Sequence, residues 1–139
     1  FVPGYGSSQK ILEKLDLEYS KVEIMNFEPE INKFLSKVDC IIYPSTYNEG
    51  TPKILLEALA SGCAIITTNQ PGCIETIMHC KNGYILESNK PEIIAQAMKR
   101  YSMLSFEDKE KFSKESRLLA ESKFDEEFVI DKYFYSLMN

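Results

Sequence analysis

Hydrophobic positions along the chain change period several times, and each change marks an element. Asp39 to Pro44, DCIIYP, is a short continuous apolar run stopped by a proline, the pattern of a buried strand feeding a loop. The loop covers Ser45 to Gly50. Behind it, Thr51 and Pro52 fit an N-cap and a first helical residue, and Ile54, Leu55, Ala58 and Leu59 recur at helical spacing until Ser61-Gly62 stops them. Cys63 to Thr68 reads as the next strand. Strand, loop, helix and strand in so few residues predict a parallel crossover, with the helix N-terminus at the carboxyl edge of the sheet. Open α/β sheets bind ligands at that edge.

The alternation extends in both directions. A strand is expected at Val22 to Met25, a helix from about Glu28 to Lys37, and a last strand at Tyr84 to Leu86. Phe1-Val2 followed by Gly4-Tyr5-Gly6 reads as a strand end turning into a helix, Ser7 to Leu17, so the chain is expected to open partway into a fold. The lone G-x-G is weak evidence for a phosphate site; a tight turn explains it. After Asn89, Ile93, Ile94, Ala97, Met98 and Tyr101 repeat at helical spacing behind Pro91, and two helical stretches follow, roughly Phe106 to Ser122 and Asp125 to Met138. Glu107, Asp108, Lys109, Glu110 and Lys111 mix charges as a solvated helix face does.

Composition narrows the class of partner. A chain of 139 residues with 44% apolar content is long enough for one domain with a real core, taken here as residues 1–139. A net charge of -5 offers no basic stripe for nucleic acid. The four cysteines, Cys40, Cys63, Cys73 and Cys80, show no C-x-x-C spacing, and the two in predicted strands read as buried free thiols, which suits a reducing cytoplasm. Cys73, His79 and Cys80 match no common zinc spacing, so no metal site is expected. No apolar run approaches the ~18 residues of a membrane span, and Phe1 opens no recognisable signal peptide.

Chemistry concentrates at the predicted helix start. The N-H groups of Thr51, Lys53 and Ile54, with the positive end of the helix dipole, suit a phosphate, while Pro52 has no donor. Glu49 lies just before that end, and Glu57, with seven residues between, lies in the second turn, its Cα-Cβ bond tilted back toward the same end. Carboxylates accept hydrogen bonds well from sugar hydroxyls, so the pair with the amides suits a diphosphate between two hydroxylated rings, a nucleotide-sugar. On spacing alone the plainer reading is favoured: Lys53 and Glu57 as a solvated i,i+4 pair worth about 0.3 kcal/mol, and Glu49 as a loop acid near a dipole.

Resemblance tips that balance. The segment EGTPKILLEALASGCAIITT resembles the signature of the retaining glycosyltransferases of family four, whose two glutamates are spaced as Glu49 and Glu57 are. NQPGCIETIMHCKNGYIL is similar to the family's following block, with Glu75, Asn82 and Gly83 in place, and VEIMNFEPEINKFLSKVDCIIYPS to the block before it. The likeness covers nearly the whole chain. Asn26 stands where a glycine is usual, and Ile74 where relatives building bacterial surface glycans often carry a polar or basic residue.

The resemblance implies an α/β fold: a Rossmann-like, doubly wound parallel sheet, the carboxyl-terminal donor-binding half of a two-domain GT-B glycosyltransferase, with extra C-terminal helices. The amino-terminal acceptor domain, and a first strand whose arginine and lysine face the diphosphate, would lie before Phe1. It further implies transfer of a hexose from a nucleoside-diphosphate sugar, a UDP-sugar being favoured, with retention, to a lipid-linked or other glycan acceptor in bacterial surface polysaccharide synthesis. The setting would be cytoplasmic, or peripheral at the inner face of the membrane. The chain has no D-x-D motif, so a reaction without metal or cofactor is expected. By the same carry-over Glu49 is the catalytic residue and holds donor-sugar hydroxyls; Gly50, Thr51, Lys53 and Ile54 meet the sugar and phosphate; Glu57 takes the ribose; Asn26 and Phe27 flank the base. The last helix, apolar on more than one face through Phe128, Val129, Phe134, Tyr135 and Leu137, would cross to the amino-terminal domain, and without it the chain is expected to self-associate through this helix or to leave it poorly ordered. The alternative is a non-catalytic nucleotide- or sugar-binding module of flavodoxin-like fold.

Overall fold

The computed structural model describes residues 28–48 and 50–126. The chain divides into two compact units, Phe1–Ile31 and Asn32–Asn139, and the second holds all of the described sheet. The elements run α1 (Ile31–Leu35), β1 (Cys40–Tyr43), α2 (Lys53–Ala60), β2 (Ala64–Thr68), a 3-10 turn (Ile74–Thr76), β3 (Gly83–Leu86), α3 (Pro91–Ser102) and α4 (Phe106–Lys123). The strand expected at Val22 to Met25, the turn at Gly4 and Gly6 and the last helix beyond Glu126 lie outside the described residues.

The α1 helix is shorter at both ends than the expected Glu28 to Lys37. In front, the Glu28 carboxylate accepts the Glu30 amide at 2.8 Å, a local bond that competes with a helical start. Behind, the Lys37 and Val38 amides reach back only three residues, to the Phe34 and Leu35 carbonyls, and this tightening ends the helix just before β1.

Both strand pairs are parallel, in the order β1-β2-β3, with Ile41 opposite Ile65 and Ile66 opposite Tyr84. Every residue of the central strand, Ala64–Thr68, is buried. Its alternating side chains therefore feed two cores. Ala64 and Ile66 join Tyr84, Leu86, Tyr101 and Phe112 on one face, with α3 packed there through Ile93, Ile94 and Ala97. Ile65 joins Leu55, Leu59, Cys73 and Ile77 on the other, under α2. Helices on both faces of a parallel sheet make this a doubly wound α/β fold, as expected.

The α4 helix serves both cores, through Phe112 on the first face and Leu119 and Ala120 on the second. It passes the amino edge of the sheet, where the buried Ser116 hydroxyl donates to the Cys63 carbonyl at 2.8 Å. Arg117 donates to the Ala60 carbonyl at 2.5 Å, occupying a free acceptor at the end of α2. Among the described residues, the carboxyl edge carries the loops after the three parallel strands, those after β1 and β2 included. No helix among the described residues is long and apolar enough to cross a membrane.

Candidate functional site

The loop leaving β1 is tied to the carboxyl end of β2 by side chains that the sequence reading did not single out. Thr67 donates its hydroxyl to the Tyr43 carbonyl at 2.7 Å, and Thr68 donates to the Ser45 carbonyl at 2.5 Å. The signal was present as adjacent threonines at the end of an apolar strand. Farther on, the Tyr47 amide donates to the Ser45 hydroxyl at 3.2 Å, a local turn that leaves the Tyr47 ring exposed. Glu49 lies outside the described residues, as do Asn26 and Phe27. Gly50 is exposed, and a side chain at that position would meet nothing within 4 Å.

The helix after this loop starts later than expected. Thr51 is not its N-cap and Pro52 is not its first residue: Pro52 is the cap, extended at φ -63 and ψ 128, and Lys53 opens the helix. The proline ring sets φ but leaves ψ free, and Pro52, buried, takes the extended value. Its carbonyl accepts from the Leu55 and Leu56 amides at 3.0 and 3.3 Å. Among the described residues, the first-turn donors left for a ligand are thus the amides of Lys53 and Ile54, while Thr51 stands before the cap.

Glu57 rises from the next turn of α2, one face of which, Leu55, Ala58 and Leu59, is buried in the core. Its side chain is 20% exposed and its Oε1 lies 3.4 Å from Lys53 Nζ, on a side chain 87% exposed. The i,i+4 pair of the plainer reading therefore exists, but its acidic half is largely covered. Lys53, Ile54 and Glu57 are brought together at one helix end.

After β2 the chain turns at Gly72, φ +75, into the 3-10 turn that carries Glu75. Ile74 is exposed beside it. Glu75 pairs with Lys123 at the end of α4, and Lys123 Nζ also donates to the Glu75 carbonyl at 3.1 Å. Asn82, fully buried, accepts the Met78 amide at 2.7 Å and donates to the Thr76 carbonyl at 3.2 Å. Gly83 follows because a Cβ there would sit 1.7 Å from the Ile65 carbonyl oxygen. Asn82 and Gly83 are thus explained by the return path of the loop into β3.

The cysteines separate by environment. Cys63 and Cys73 are buried, Cys40 is half-buried and Cys80 is exposed, and all are free thiols. Burial pushes the Cys40 thiol up to about 12, with Cys63 and Asp39 adding to it, and the Cys63 thiol up to about 11, with Asp39 adding to it. His79 accepts the Ile85 amide through Nδ1 at 3.0 Å, so that nitrogen serves the strand. No group of three or more His, Cys, Asp or Glu side chains among the described residues could hold a metal ion.

With this geometry in view, the likenesses to known proteins fall into line. WcaL of Escherichia coli K12, named for colanic acid biosynthesis, is 28% identical over 135 residues, covering 92% of this chain and 33% of its own. The crystal structure of Anabaena HepE with UDP and glucose superposes with a TM-score of 0.79 at 18% identity, over 94% of this chain and 35% of that one. The C-terminal domain of LpcC, a glycosyl transferase group 1 family protein of Francisella tularensis, superposes at 0.67 with 22% identity, covering 85% and 60%. The chain thus spans about a third of the length of WcaL and of HepE. The model of the family described as glycosyl transferases group 1 matches residues 1–119, most of the chain, and to that family the chain belongs.

Proposed function

We propose that this chain is the carboxyl-terminal, donor-binding half of a two-domain retaining glycosyltransferase of the hexosyltransferase type, which transfers a sugar from a UDP-sugar to a glycan acceptor. The observation that carries the reading is the free first turn of α2, where the Lys53 and Ile54 amides and the largely covered Glu57 share one end of one helix. Amides there would stabilise the charge of the departing diphosphate. Glu57 would accept from the ribose hydroxyls, Glu49 from the donor sugar next to the reacting carbon, and Gly50 and Thr51 would line the sugar and phosphate. Asn26 and Phe27 would flank the base. HepE, crystallised with UDP and glucose, supports a uridine nucleotide. WcaL, by its name a glycosyltransferase of colanic acid biosynthesis, supports a glycan acceptor. The reaction would need no metal or cofactor, since amides and helix dipole supply positive potential at the phosphates. The acceptor, lipid-linked or another glycan, would meet the amino-terminal domain, onto which the last helix would cross; without it that helix would pair with a second copy. The enzyme would act in the cytoplasm or at the inner face of the membrane.

Backbone amide shifts during titration with UDP, GDP and UDP-sugars test the reading. Changes are expected around Asn26, Thr51 to Glu57 and Gly72 to Glu75, with affinity for this chain alone no better than about millimolar to high micromolar, ~4 to 6 kcal/mol. Changes confined to α3 and α4 would sink it.

A further inference from the structure

We propose that the Lys53 side chain is an exchangeable counterion: it neutralises Glu57 in the empty domain and passes to the donor diphosphate when ribose hydroxyls take its place. This rests on the nucleotide-sugar reading above and adds a coupling between its ribose and phosphate halves. The two partners are unequal. The Lys53 side chain is 87% exposed, whereas the Glu57 side chain is 20% exposed. A carboxylate so covered is not left without a partner cheaply, and Lys53 is the partner it has at 3.4 Å. The lysine is the more easily released, since exposed i,i+4 pairs are among the weakest ion pairs in proteins.

Where the lysine goes follows from its place in the helix. Lys53 is the first helical residue, and its own amide and that of Ile54 have no acceptor among the described residues. An anion held by those amides lies beside the Lys53 backbone, within the sweep of a flexible four-carbon stem ending in a compact charge. A diphosphate therefore offers the ammonium a stronger partner in the same motion that frees Glu57 for two hydroxyls. Uridine alone asks for the same exchange but gives the lysine nowhere to go.

Titrating the full-length protein with uridine and with UDP by calorimetry tests this. In Lys53→Gln, UDP affinity should fall about ten-fold while uridine affinity rises by about two- to three-fold, a split that loss of a charge-assisted contact predicts. Lys53→Arg should keep UDP binding within about three-fold of the parent. In a Glu57→Gln background the gain for uridine should vanish. Equal UDP affinity in Lys53→Gln, or parallel loss of uridine and UDP, would overturn the exchange while leaving the nucleotide-sugar reading intact. If the parent binds neither compound, both fall.

Discussion

Replacing Asn82 by alanine removes the side chain that shapes the return from the Glu75 turn into β3. The residue is fully buried; its Oδ1 accepts the Met78 amide at 2.7 Å and its Nδ2 donates to the Thr76 carbonyl at 3.2 Å, next to a Thr76 that is itself buried. Alanine leaves both backbone groups without those partners. Each unsatisfied buried group costs about 1 to 3 kcal/mol, so the sum is about 2 to 6 kcal/mol. Met78 is only half-buried and water recovers part of its share, which places the expected loss at about 2 to 4 kcal/mol. Against a total of about 5 to 15 kcal/mol for a domain, that is a large fraction. Urea unfolding followed by circular dichroism reads it directly: at a slope of about 2 kcal/mol per molar, the midpoint should drop by about 1 to 2 M. Asn82→Asp adds a sign test. It keeps the acceptor for Met78 but sets a buried carboxylate against the Thr76 carbonyl, so its folded pKa rises above the unfolded value. The deficit is then full above the folded pKa and shrinks as pH falls through it, because the protonated form restores a donor. A midpoint shift for Asn82→Ala under about 0.3 M, or a deficit in Asn82→Asp that grows on acidification, would refute the account.

Gly83→Ala should fail to fold or accumulate as aggregate, since its Cβ would fall 1.7 Å from the Ile65 carbonyl oxygen, whereas Gly50→Ala, with open space around it, should change the melting midpoint by no more than a degree or two. In the full-length protein Glu57→Ala should weaken donor binding by about 1.5 to 3 kcal/mol; unchanged donor affinity would return Glu57 to a surface pair with Lys53. Glu49→Ala should harm sugar transfer more than UDP binding, because free UDP carries no sugar, and equal losses in the two assays would remove Glu49 from the sugar site. Thiol labelling at pH 8 should modify exposed Cys80 first, with Cys40 and Cys63, whose thiols burial pushes to about 12 and 11, reacting only on unfolding. Peptide mapping that found Cys40 labelled as fast as Cys80 would contradict the burial.

The strand-loop-helix-strand unit from Cys40 to Thr68 was readable from sequence because its signals are local. An apolar run ended by Pro44, a 3.6-residue repeat ended at Ser61-Gly62 and a second apolar run each act over a few residues. The helical start at Pro91 was legible for the same reason, whereas Gly83, which opens β3, was placed by resemblance alone. The start of α2 was not, because Thr51 and Pro52 satisfy two registers equally well and only the ψ of a buried proline chooses between them. The tertiary structure alone decided what holds the site in place: the Thr67 and Thr68 hydroxyls closing onto Tyr43 and Ser45, the Lys123 ammonium reaching Glu75 across 48 residues, and α4 passing from one core to the other past Ser116. Such bonds depend on which atoms the parallel register sets side by side, and no pattern within either segment encodes that register. Glu57 belongs to both accounts. Its spacing from Glu49, its turn of helix and its i,i+4 pairing with Lys53 were visible in the sequence, but its cover exists only once α2 lies on the sheet, because burial is a property of the packed faces and not of the residue.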